Sequence, residues 1–156
     1  MAHKRDEIRK IIVDALKNKT LAGENVFNWK LRPIEIEHLP CISVIIPEET
    51  ATEISGGGDL IHRRAEVYVI IYNAALNNND NMSDEISRQV EFIMNNLNQK
   101  DFSFKYQKME INQDKISMKS LISCALQYQC NYFTEEKEPI ETNDLEELSI
   151  EVCQHG

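Results

Sequence analysis

The stretch IHRRAEVYVIIYNAA, residues 61–75, is the longest uninterrupted strand-like run in the sequence. Apolar residues occupy one parity of this run, while polar, aromatic and a few apolar residues occupy the other, so successive side chains point to opposite sides of a sheet. The apolar residues that define this parity are Ile61, Ala65, Val67, Val69 and Ile71. We expect the first half of this strand to be half-exposed and the second half buried, with the other elements docked onto it.

The size and charge of the chain fit one globular domain with an acidic end. Its 156 residues are enough for a single hydrophobic core and too few for two domains that each have a well-formed core. The net charge is −9, and residues 134–156 contain eight acidic residues against one lysine. Generic nucleic-acid and anionic-membrane binders need clustered Lys and Arg, which this composition disfavours. We predict a domain over residues 1–133 and an acidic extension over residues 134–156.

Two segments have the periodicity of amphipathic helices. The first is predicted over residues 4–19 and the second over about 82–98, where Asn81 is a candidate N-cap. The residues expected to face the core are Ile8, Ile11, Ile12, Ala15 and Leu16 in the first helix, and Met82, Ile86, Val90, Ile93 and Leu97 in the second.

The remaining apolar segments are predicted to be strands. A short strand is expected over residues 25–29, and a buried one runs from Cys41 to Ile46 and ends at Pro47. Residues 102–111 and 118–133 are expected to form a hairpin around a polar turn at 112–114. The fold class is therefore α+β, a single domain with a mixed, mostly antiparallel β-sheet packed by two α-helices.

The last strand has one polar parity, in which Gln127 and Gln129 lie between Ser123 and Asn131. This alternation predicts an antiparallel strand with one wet face, which either contacts solvent or meets another subunit. Cys124 and Cys130 lie on the other parity, about 20 Å apart, which is too far for a disulfide. We expect them to be buried, reduced thiols.

Two further features are candidates for contacts with other molecules. Gly56, Gly57 and Gly58 form a loop that we expect to be mobile in the isolated subunit. The loop lacks the Lys-Ser/Thr of a phosphate-binding P-loop and leads into a strand. Arg63 and Arg64 are the basic doublet of the central strand, and each is either an isolated surface residue or a partner in an ion pair between subunits.

Motifs for catalysis were not found. The four histidines are scattered without the spacing of a metal site, and neither a nucleophile elbow nor a Cys-His signature is present. The sequence therefore predicts no enzyme, no cofactor and no metal. No apolar run reaches the length of a membrane span, and the N-terminus reads as an amphipathic helix instead of a signal peptide, so we expect a cytoplasm-like compartment.

The order of these segments resembles that of the small tail terminator proteins of long-tailed bacteriophages, the minor tail protein U-like family. In that family an N-terminal helix precedes V(F/Y), LP-x-I-x-V, an apolar R-x-x-x-(F/V)-x-(V/I) strand and a packed helix. The resemblance covers roughly residues 5–133. The matching positions here are Val26 and Phe27; Leu39, Pro40, Ile42 and Val44; and Arg64, Tyr68 and Ile70.

The resemblance implies a structural virion protein. Members of the family form hexameric rings that cap the tail tube and present a surface to head-completion proteins. It therefore implies three protein partners, namely further copies of the chain, the tail tube protein and a head-completion protein, with DNA only as cargo passing through the channel. It also implies a location in the virion tail, and in the host cytoplasm during assembly. The candidate interface residues are Gly56, Gly57, Gly58, Arg63, Arg64, Gln127 and Gln129.

Other functions are compatible with the same residues. A head–tail connector or tail completion protein of the same fold is one alternative, because fold does not fix function. A small monomeric adaptor that binds a basic partner through its acidic extension is another. Within that extension, residues 134–147 read as a solvated linker, and residues 148–152, LSIEV, alternate as a strand would.

Overall fold

The central element of the structure is the strand that the sequence predicts. A computed structural model describes residues 4–28, 36–53, 60–74, 79–97, 100–116 and 119–135. The elements in chain order are α1 (Lys4–Leu16), β1 (Val26–Asn28), a 3-10 turn (Ile36–His38), β2 (Cys41–Glu53), β3 (Leu60–Ala74), α2 (Asn79–Asn95), β4 (Ser103–Ile116) and β5 (Lys119–Glu135).

The strands form one five-stranded sheet in the order β1-β2-β3-β5-β4. The short β1 pairs parallel with β2, and every other pairing is antiparallel. Helix α1 packs on β1 and β2, while α2 packs on β3 and β5 and contacts α1. Both helices therefore lie on one face of the sheet, which confirms the predicted α+β class.

The core lies between that sheet face and the two helices. Ile8, Ile12 and Leu16 of α1 are fully buried against it. From Ala65 onward, β3 alternates between buried residues on the helix face and half-buried ones on the other, which confirms the expected burial of its second half. The asymmetric burial fixes the register of β3, since a slip of one residue would turn its apolar parity away from the helices.

The predicted end of the second strand at Pro47 is wrong. Strand β2 continues through Pro47 to Glu53, and the proline coincides with a register shift between Ile45 and Glu48. A proline cannot donate a hydrogen bond to the ladder, and a β-bulge is one of the places in a sheet where that loss is tolerated. The bulge also sets Glu49 opposite Ala65, on the helix face.

The bounds and the apolar face of α2 also differ from prediction. The helix begins at Asn79, so Asn81 lies within its first turn and is not the N-cap. Met82 is exposed instead of being part of the core, and Met94 is buried with Ile86 and Val90. Ile86, Val90 and Met94 form the buried stripe at four-residue steps, and Ile93 and Leu97 are partly buried against the core, as predicted.

The β4–β5 hairpin exists, but the turn predicted at residues 112–114 is wrong. These polar residues belong to β4, where Asn112 pairs with Ser123 and Asp114 pairs with Leu121. Both strands are longer than the apolar pattern indicated, because polar residues occupy the far end of the hairpin. Gly56, Gly57 and Gly58 and residues 136–156 lie outside the described residues.

Candidate assembly surface

The helix-free face of the sheet holds most of the polar residues that the sequence singled out. Gln127 donates a hydrogen bond from Nε2 to Oε2 of Glu66 on β3, at 2.8 Å. Asn131 Oδ1 and His62 Nε2 lie 3.0 Å apart across the same pair of strands. Gln129 stands opposite Glu66 in the register and is half-buried. These side chains hold β3 to β5, so the face is organised by bonds within the chain.

The two arginines of the central strand lie on opposite faces of the sheet. Arg63 lies on the helix face, where its Nη1 is 3.3 Å from Oε2 of Glu49 and its Nε donates to Oγ1 of Thr134 at 2.8 Å. Arg64 is exposed on the other face. The guanidinium of Arg63 is thus engaged within the chain, and Arg64 is the member of the pair that presents its charge outward.

Glu49 is the centre of a charged network at the end of the helix face. Only 7% of its side chain is exposed, and it accepts a hydrogen bond from the hydroxyl of Tyr132. Besides Arg63, Nη1 of Arg5 in α1 lies 3.9 Å from its carboxylate. A buried carboxylate needs this number of partners to offset its lost hydration. The network joins α1, β2, β3 and β5, and we interpret it as structural.

Burial dominates the ionisation of the β5 side chains beneath the helices. It raises the pKa of the Cys130 thiol to about 12, with the charge of Glu49 as a second cause. It also raises the pKa of Tyr128, with smaller contributions from Glu91 and Tyr106. A nucleophile or acid–base catalyst needs a pKa near the working pH, and these groups are shifted away from it.

The outermost strand, β4, presents an apolar surface that the sequence did not reveal. Tyr106, Met109 and Ile111 are 41%, 44% and 54% exposed. They stand opposite Tyr128, Leu126 and Cys124 of β5, on the face that carries the helices. Both helices pack mainly on the other four strands, so β4 lies at the margin of the helix layer. We name these three residues the β4 stripe.

A β-bulge explains why the β4 stripe is not visible in the sequence. Tyr106 and Met109 have opposite parity, so an unbroken strand would place them on opposite faces. The register shifts between Tyr106 and Lys108 and brings both onto the helix face. Their exposure depends in addition on β4 being the edge of the sheet, which is a property of the strand order.

A second apolar surface lies on the helix layer. Phe92 of α2 is 70% exposed, and Leu21, in the turn after α1, is 53% exposed. The backbone N–H of Leu21 donates to Oε1 of Gln89, at 2.9 Å, which ties this turn to α2. Phe92 lines a shallow pocket together with Lys19, Glu85, Arg88, Gln89 and Ile93. We name Leu21 and Phe92 the helix patch.

The described residues contain no cluster of three or more His, Cys, Asp or Glu that could hold a metal ion. Within the same residues, no helix is long and apolar enough to cross a membrane. What the described surface does offer is exposed apolar side chains and an unpaired sheet edge, which are features of a protein that binds other proteins.

The fold and surface are those of a small α+β domain with exposed apolar side chains. The sequence profile of the phage minor tail protein U family matches residues 3–132, and the chain belongs to that family. The match confirms the resemblance that the sequence motifs indicated, and it gives the chain a structural role in a phage tail. A search of curated individual proteins found no match.

Proposed function

We propose that this protein is a tail terminator, a ring of six copies that caps the phage tail tube when the tube is complete and offers its outer surface to a head-completion protein. The observation that carries the proposal is the family match over residues 3–132, which include every described helix and the whole sheet except the end of β5. The ring is the active form in this proposal, so its subunits must bind one another, the last tube ring and the head side.

The surface features support a role in assembly. A closed ring of identical subunits uses a head-to-tail interface, in which two different patches of one chain meet. The β4 stripe and the helix patch are two such patches, and Arg64 adds an exposed charge on the helix-free face. The net charge of −9 suits a channel that DNA passes without being held, because carboxylates repel phosphates.

The ring can be tested with the purified full-length chain. Light scattering over a concentration series is expected to give a species of six times the 18.1 kDa chain mass, and negative-stain electron microscopy is expected to show rings with a central hole. A strict monomer at every concentration would contradict ring formation in solution.

The capping role needs a second experiment. Tail tube protein of the same phage is allowed to polymerise, and the chain is added at about one ring per tube end. A terminator stops elongation and appears at one end of each tube. Continued elongation, with binding only to the head-side protein, would instead identify a connector.

A further inference from the structure

We propose that neighbouring copies associate by packing the helix patch of one copy, Leu21 and Phe92, on the β4 stripe of the next, Tyr106, Met109 and Ile111. This inference rests on the ring-forming function proposed above and assigns its subunit interface. The occupant of both surfaces is therefore a second copy of this chain.

The exposure of the β4 stripe is the first argument. Single apolar residues on a surface are ordinary, but these three lie on the same face of one strand. Strand β4 has 14 residues and is the edge of the sheet, so the backbone groups on its outer side have no strand partner among the described residues. The bulge and the exposed Lys105 and Lys108 disfavour direct strand pairing at this edge, so a partner would contact the side chains of the stripe and not its backbone.

The second argument is that the two surfaces do not overlap. Gln89 and Ile93 lie on the flank of α2 that faces the end of α1, next to the helix patch. Ser87 and Glu91 lie on the opposite flank. Ser87 hydrogen-bonds to Cys124 of β5, and the charge of Glu91 lies close enough to Tyr106 of β4 to raise its pKa. One copy can therefore use both surfaces at once, which a head-to-tail ring requires and a two-fold dimer does not.

The third argument is charge complementarity. The turn that carries Leu21 also carries the exposed Lys17 and Lys19 against one exposed acid, Glu24. The other charges beside Phe92, Glu85 and Arg88, pair with each other, so the border has a net positive charge. The β4 stripe has an acidic border on α2. The charges of Asp84 and Glu91 both raise the pKa of Cys124, and the charge of Glu91 also raises the pKa of Tyr106, so both carboxylates lie near the stripe. A basic-bordered apolar patch and an acidic-bordered one attract each other, whereas two copies of either would repel.

The interface can be tested by breaking each surface separately. The first variant is Phe92→Asp, which removes the helix patch, and the second is Met109→Asp with Ile111→Asp, which removes the β4 stripe. All three positions are exposed, so the fold is expected to persist, as circular dichroism would verify. The matched control is Phe133→Asp, because Phe133 is 55% exposed but stands opposite His62 on the helix-free face.

The decisive measurement is the native mass of each variant and of their mixture. Each variant alone is expected to be monomeric, since every interface then buries an uncompensated carboxylate. The 1:1 mixture is expected to form a dimer that grows no further, because one intact helix patch meets one intact β4 stripe. The control is expected to assemble as the wild type does.

The possible results separate this inference from the proposed function. If the wild type assembles and the patch variants assemble equally well, the proposed interface is wrong and the ring-forming function is still supported. If the wild type never assembles, both the interface and the ring-forming function are contradicted. A mixture that stays monomeric, or a control that fails to assemble, also overturns the assignment. Should an Asp variant lose its fold, Phe92→Ser and Ile111→Thr provide the same comparison with a smaller perturbation.

Discussion

Tyr132 on β5 donates a hydrogen bond to Glu49 on β2, although β3 lies between these two strands in the sheet. The contact crosses the helix face of β3, where Arg63 also reaches Glu49. The residues are 83 positions apart in sequence, so the bond links distant segments of the chain. It lies at an end of the core, where the ring of Phe102 packs edge-on against that of Tyr132.

We expect Tyr132→Phe to lower the free energy of unfolding by about 1.5–3 kcal/mol, since a buried hydrogen bond to a charged group is lost and Glu49 stays buried with one partner fewer. Urea denaturation at pH 7 measures the change. Tyr106→Phe is the control, and because that ring is partly exposed its effect is expected to be below about 0.5 kcal/mol. Equal effects of the two substitutions would show that the Glu49 contact adds nothing.

The buried thiol and phenols predict a loss of stability in alkali. The folded state raises the pKa of Cys130 from 9.0 to about 12, and it raises the pKa of Tyr128 and Tyr132 above 10.0. Below about pH 9 these groups are protonated in both the folded and the unfolded chain, so the stability that depends on them is fully present. As the pH rises above those ordinary values, only the unfolded chain ionises, and each group costs up to about 1.4 kcal/mol per pH unit until it also ionises in the folded state.

This alkaline loss can be measured by urea denaturation between pH 7 and pH 11 under reducing conditions. Cys130→Ala is expected to make the first part of the decline, between about pH 9 and pH 10, less steep, while Cys124, whose pKa burial also raises, keeps its share and the tyrosines produce the later part. A stability that is independent of pH over this range would contradict the burial of these groups.

Three of the four cysteines are predicted to be unreactive in the native protein. Cys41, Cys124 and Cys130 are buried and form no disulfide, as the sequence predicted for the latter two. In a Cys153→Ser chain, a thiol reagent such as dithionitrobenzoate is therefore expected to label nothing at neutral pH and three thiols in denaturant. Rapid labelling of the native protein would mean that the sheet opens locally.

The alternation of β3 can be tested with adjacent isoleucines. Ile71 is fully buried beneath the helices, whereas Ile70 is half-buried on the other face. Ile71→Ala is expected to cost about 2–5 kcal/mol because it leaves a cavity in a packed core. Ile70→Ala is expected to cost about 1 kcal/mol. Similar losses in urea denaturation would mean that the helix-free face is as tightly packed as the core.

The central strand could be predicted because its signal is local. From Ala65 to Ile71 one parity of β3 is wholly apolar, so the buried face of this part follows from the sequence alone. The end of β2 could not be predicted in this way, since Pro47 normally ends a strand and only the pairing with β3 shows that a bulge accommodates it. Met82 also differs from prediction, because its spacing from Ile86 fits the core stripe but the structure buries the adjacent Ser83 and leaves Met82 exposed.

The candidate surface was less accessible to sequence reasoning than the core. The charge of Arg63 makes it a candidate interface residue in the sequence, but in the structure Arg63 forms an ion pair with Glu49 of the same chain. Glu49 comes into reach because of the bulge in β2. The β4 stripe cannot be predicted from the sequence, because exposure at an edge depends on strand order, which no single segment encodes. Local patterns therefore predicted what packs inside, while the residues left outside depended on long-range pairing.

The acidic extension provides the last prediction, which separates the tail terminator from the adaptor. A chain that ends at Glu135 retains every described helix and strand and lacks seven acidic residues and one lysine, so its net charge changes from −9 to −3. Because the core and both apolar patches remain, we expect its thermal midpoint to change by less than about 4 °C and its native mass to remain that of a ring. Light scattering and thermal unfolding of the two chains side by side measure both quantities. A shortened chain that keeps its oligomeric state but no longer binds a basic partner that the full chain binds would favour the adaptor, because binding would then depend on the charge of the extension and not on the ring.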